Sequence, residues 1–152
     1  MELADVSPKL FIVLIISALT IGCGNQPTNI GSVPDSIGFS TDRAYYAVLD
    51  TIRLSLKNNS SSDIDVGLKC GSNLEMSYQK RDVDGWGDTL WFPYMALRCL
   101  TLSDTVKVNT TLVRSLPAEI FTSAGTFRLI VNVYAPETAA HLGVVSNSFQ
   151  VQ

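Results

Sequence analysis

The chain has 152 residues, 46% of them hydrophobic and 16% charged, with 11 Lys and Arg against 14 Asp and Glu for a formal net charge of −3. That length supports one domain with a proper core. Charges of both signs are interspersed, with no basic stripe of the kind a phosphate backbone demands, so nucleic acid is excluded as an expected partner.

The chain opens with an apolar run, Leu10 to Ile21, of 12 residues that ends in Gly22-Cys23. This suits the apolar core of an export signal and falls short of the roughly 18 residues a membrane-spanning helix needs. Ile21 and Gly22 before Cys23 resemble the lipobox of bacterial lipoproteins, with Thr20 where Leu is usual. The resemblance implies a signal peptide over residues 1–22, acylation of Cys23 as the new N-terminus, and a membrane contact through that lipid. Polar residues from Asn25 to Pro34 read as a tether over 23–36. A short buried helix or strand of a soluble domain is the alternative for the apolar run.

Beyond the tether the pattern changes to short segments of period two. Thr51 to Lys57 alternates, placing Ile52, Leu54 and Leu56 on one face. Asn58 to Asp63 is a turn cluster, and Ile64 to Lys69 alternates again. Leu74 to Gln79 predicts a third strand with Leu74, Met76 and Tyr78 inward. Asp104 to Leu112 reads as one strand with Val106, Val108, Thr110 and Leu112 on one side. Leu116 to Ser123 has room for one helical turn closed by Gly125. Thr126 to Tyr134 is a long central strand, apolar at Phe127, Leu129, Val131 and Val133, and the chain closes on a strand aligning Val145, Phe149 and Val151. About seven short strands with turn residues between them predict an all-β, antiparallel β-sandwich over residues 37–152.

Three cysteines are an odd count for an oxidising compartment. With Cys23 acylated, Cys70 and Cys99 remain as an even pair, and a bridge between them would close a loop worth roughly 3.5 kcal/mol in the chain-entropy model. Two separate buried thiols are the alternative. There is no C-x-x-C and a single histidine, His141, so a four-ligand zinc site cannot be assembled.

The order of an alternating strand, an Asn-Ser turn, a Trp-bearing Asp-Gly hairpin, the Gly125-Thr-Phe-Arg-Leu129 strand and a final Ser-Asn-x-Phe-x-Val strand resembles bacterial immunoglobulin-like domains. The layout is also similar to the bacterial intracellular proteinase inhibitor group at Leu56-Lys-Asn58, Asp84-Gly85 with Trp91, and Gly125 to Leu129. The first resemblance implies an immunoglobulin-like β-sandwich of secreted or lipid-anchored proteins. The second implies a loop offered to a protease. Cys70 and Cys99 depart from the immunoglobulin pin, which joins cysteines far apart in sequence; here a bridge would staple an excursion between strands.

That excursion, Gly71 to Arg98, carries Tyr78, Trp86, Trp91, Phe92 and Tyr94 and is the candidate binding surface. Aromatic side chains supply contact area at low entropic cost. The plain alternative is that Trp91 and Phe92 plug the sandwich while Trp86 decorates a hairpin. Asp82, Asp84 and Asp88 with Gly85 resemble part of a calcium loop, but in that register the first and twelfth ligand positions fall on Lys80 and Trp91, so a hairpin turn is the reading preferred over a metal. For catalysis, a Ser-His-Asp arrangement would have to use His141, placed in a loop between the last two strands, and no Gly-x-Ser-x-Gly elbow is present. The expectation is a non-catalytic, lipid-anchored protein of the bacterial cell envelope. It has no cofactor and binds an envelope protein or glycan through its loops. A proteinase inhibitor using Asp82 to Pro93 and a hydrolase with an unrecognised site are the alternatives.

Overall fold

Alternation of apolar and polar residues becomes alternation of burial once strands pair. The computed structural model describes residues 36–152; the expected signal peptide, Cys23 and the tether up to residue 35 lie outside the described residues. Among the described residues thirteen strands form two sheets, and eight of the strands have five or more residues.

The smaller sheet contains β1 (Ile37–Thr41), β3 (Thr51–Asn58) and β10 (Thr110–Pro117), in the order β1-β3-β10 and all antiparallel. In β3 the expected face, Ile52, Leu54 and Leu56, is fully buried. The larger sheet is centred on β11 (Gly125–Ala135), the longest strand, with Phe127, Leu129, Val131 and Val133 inward. On one side β11 pairs with β12 (Ala140–Val145) and β13 (Phe149–Val151), and β13 in turn pairs parallel with β2 (Tyr45–Tyr46). On the other side it pairs with β4 (Ile64–Lys69) and β6 (Met76–Asp82). Short β5 (Asn73–Leu74) pairs with β4, as does β9 (Thr101–Val106) on its far edge. Side chains from both sheets fill one core, so the chain is an all-β sandwich with antiparallel pairing predominant.

Two phase expectations are corrected. Asp104 to Leu112 is not one strand: β9 ends at Val106, and β10 begins at Thr110 in the other sheet. Between them Asn109 sits at φ 58, a left-handed conformation Asn tolerates, and its N–H donates to the Asn58 carbonyl at 2.7 Å. Val108 therefore belongs to a sheet-crossing turn. The last strand is also broken. Ser146 interrupts it, its Oγ accepting the Leu129 N–H at 2.9 Å, and an odd step separates Val144 from Phe149. Val144 is buried with Phe149 and Val151, and Val145 is exposed. One residue of slip moves a side chain to the opposite face.

Asn58 organises the turn that follows β3. Its amide donates from Nδ2 to the carbonyls of Ser62 and Val106 at 2.8 and 2.9 Å, while Oδ1 accepts from the Ser60 N–H and Oγ at 3.0 and 2.6 Å. The side chain is 0% exposed, yet every polar atom on it is satisfied. Cys70 and Cys99 form a disulfide with Cα atoms 5.2 Å apart. It joins the end of β4 to the approach of β9, two neighbours in the same sheet, and so closes the excursion.

Candidate functional site

The excursion begins as core. β6 turns at Val83-Asp84 into β7 (Gly85–Trp86), with Arg81 opposite Trp86 and Asp82 opposite Gly85. Asp82 Oδ1 accepts the Asp84 N–H at 2.9 Å, the Asx geometry that starts such a turn. Gly85 takes φ 129, which a side chain would resist. Asp82, Asp84 and Asp88 are exposed residues of this turn, and among the described residues no group of three or more His, Cys, Asp or Glu is placed to hold a metal ion.

The five aromatics of the candidate surface divide. Phe92 is 1% exposed and stacks on Tyr94 with centroids 5.4 Å apart and planes 9° from parallel. It also meets Tyr78 at 4.8 Å and Phe121 at 5.6 Å. The Tyr94 hydroxyl donates to the Leu74 carbonyl at 2.8 Å, and burial pushes its pKa above the usual tyrosine range. Tyr78, Phe92 and Tyr94 therefore close the end of the sandwich. Trp86 and Trp91 are left on the outer face of the larger sheet. The expected plug is thus half right, because Phe92 enters the core and Trp91, in β8 (Leu90–Trp91), does not. Trp91 is in register with Ser77 and 54% exposed.

Pairing across β6 and β11 gathers residues around Trp86 that sequence reading did not connect. Gln79 lies opposite Arg128, whose Nε donates to Gln79 Oε1 at 2.7 Å. Gln79 Nε2 donates to Thr89 Oγ1 at 3.1 Å, which fixes the amide. The Arg128 guanidinium lies 4.3 Å from the Trp86 ring centroid and that of Arg81 lies 6.0 Å from it. Burial holds the Arg128 pKa below the ordinary arginine value.

A second feature escaped the sequence altogether. Where β4 diverges from β6, an open groove of about 560 Å³ is lined by Asp65, Glu75, Ser103, Asn132, Tyr134 and His141. His141 is on strand β12 and not in the loop expected, with its ring 4.9 Å from that of Tyr134. These residues come from five strands or strand ends. The only local sign is Gly67, where a Cβ would collide with the Glu75 side chain.

No protein-family model matches the chain, and no curated protein does. Among solved structures it is similar to the Pseudomonas fluorescens alkylpurine DNA glycosylase AlkC bound to DNA containing an abasic site analog, at 13% identity and a TM-score of 0.42, covering 77% of this chain and 30% of that one. It is also similar to a Northeast Structural Genomics Consortium target, at 11% identity and a TM-score of 0.41, covering 78% of this chain and 88% of that one. The first of these is DNA-bound, whereas the expected partner set excluded nucleic acid; that exclusion is corrected, because it rested on a chain-wide charge pattern and folding brings Arg81 and Arg128 together beside Trp86.

Proposed function

We propose that this chain is an exported, lipid-anchored domain of the bacterial cell envelope, with an immunoglobulin-like layout, that binds and does not catalyse. Its binding face is the outer side of the larger sheet at Trp86 and Trp91. One observation carries the reading: Trp91 stands 54% exposed directly beside Phe92, which is 1% exposed, so a large aromatic is held out by a locked neighbour. Exposed tryptophan on a rigid base is the composition of a binding hot spot. The Cys70–Cys99 disulfide supports export, since such bonds persist in oxidising compartments.

The test is capture from cell extract by the full chain in detergent, compared with Trp86→Ala and Trp91→Ala. Loss of a captured species in either variant supports the reading, and identical capture by all three refutes it. Labelled palmitate incorporated by the wild-type chain and lost in Cys23→Ala supports the anchor; label that persists refutes it. A second reading, protease inhibition, is favoured by Val83, 99% exposed at the tip of the Asp82–Gly85 turn. It requires stoichiometric slowing of a protease that is relieved by Val83→Asp.

A further inference from the structure

The outer face carries a cation, Arg128, held by neutral neighbours, Gln79 and the Trp86 ring. Among the described residues the ion pairs are Arg43 with Asp42 and Asp50, and Arg114 with Asp104. Lys80 is turned to Ser123 Oγ at 2.9 Å and to the Phe127 ring. Arg128 has no carboxylate partner among the described residues, although Asp82, Asp84 and Asp88 occupy the adjoining turn.

Its guanidinium is nonetheless fixed. Its Cζ lies over the Trp86 ring, 4.3 Å from the centroid and inside the range of a cation–π contact. Nε is held by Gln79, itself held by Thr89. That leaves Nη1 and Nη2 with no hydrogen-bond partner among the described residues. Neither is fully buried, since among the described residues no buried side-chain nitrogen or oxygen lacks a partner. A guanidinium has five donors in a rigid fork that matches two oxygens of a carboxylate or phosphate. The ring contact and the Nε bond to Gln79 leave the Nη1 and Nη2 groups to meet a ligand. Arg81, in register with Trp86, adds a second positive charge on the same side.

We propose that Arg128, held over the Trp86 ring and oriented by Gln79, is the binding site for an oxyanion, a carboxylate or phosphate group, of the ligand that this face recognises. The inference rests on the binding reading above and gives that face its chemistry. Trp86 and Gln79 are positioning residues, and Arg81 strengthens the local field.

The experiment is a ¹H–¹⁵N titration of the full chain in detergent with inorganic phosphate and, separately, with glutarate, against sodium chloride at matched ionic strength. The resonances followed are Arg128 Nε–H and Trp86 Nε1–H. Saturable shifts with phosphate, glutarate or both, beyond those with chloride, support the site, and which probe acts identifies the oxyanion. Arg128→Gln should weaken binding about tenfold or more, and Arg128→Lys, which keeps the charge but loses the fork, several-fold. Trp86 then reports for both variants. Shifts no larger than those with chloride overturn the proposal, as does equal binding by Arg128→Lys and wild type, which remains decisive should Arg128→Gln fail to fold. Capture lost in Trp91→Ala with no anion binding overturns this inference alone. Anion binding with capture unaffected by either tryptophan overturns the broader reading of the face instead.

Discussion

Phe92→Ala tests whether the excursion is a locked part of the core or a loop laid over it. Phe92 is 1% exposed and meets Tyr78, Tyr94 and Phe121 with ring centroids 4.8, 5.4 and 5.6 Å away. Burying such a side chain contributes roughly 1.5–3 kcal/mol, and each well-formed aromatic pair adds about 0.5–1.5. The hole left by alanine adds a cavity cost, which places the loss at about 4 kcal/mol, within the range for Phe→Ala in cores. Tyr94 and Tyr78 cannot both collapse inward, because the Tyr94 hydroxyl is tied to the Leu74 carbonyl. For a domain of this size that corresponds to a fall in Tm of about 15 °C. The assay is urea unfolding followed by near-ultraviolet circular dichroism, with Phe92→Leu as a milder companion expected to lose about 1–1.5 kcal/mol. A loss below about 1 kcal/mol for Phe92→Ala would refute the reasoning, since it would mean that the ring is not part of the cooperative core.

Asn58→Ala should cost about 2–4 kcal/mol by the same assay, because it leaves the Val106 and Ser62 carbonyls and the Ser60 N–H without their partner; a loss under 0.5 kcal/mol would show that water replaces it freely. Tyr94 makes stability fall at alkaline pH. Its folded-state pKa is raised by burial, so its contribution is complete below the unfolded value of about 10 and is lost as pH rises toward the folded one. Tyr94→Phe should flatten that decline between about pH 10 and 11.5 in thermal unfolding, and an unchanged slope would count against the burial.

How much of this was legible in the sequence varied by element. β3 and β11 were read correctly down to the inward residues because each runs without interruption, so parity alone fixes the face. The readings through Val108 and Val145 failed for a shared reason. A sheet crossing at Asn109 and a break at Ser146 each reset the phase, and alternation carries no mark of a reset. β1 and β2 were not read at all. Residues Ile37 to Tyr46 are short, and β2 exists only through its pairing with β13.

Periodicity, local backbone preference and parity suffice for the all-β class, the main turns and the pairing candidates among the cysteines. Tertiary structure alone decided the surface. Trp91 and Phe92 are adjacent and equally apolar to a sequence reader; strand pairing with β6 sends one outward and the other into the core. The same pairing sets Arg128 beside Gln79 and Trp86. Which side chains become neighbours is fixed by register between distant strands, and register is a property of the whole sheet.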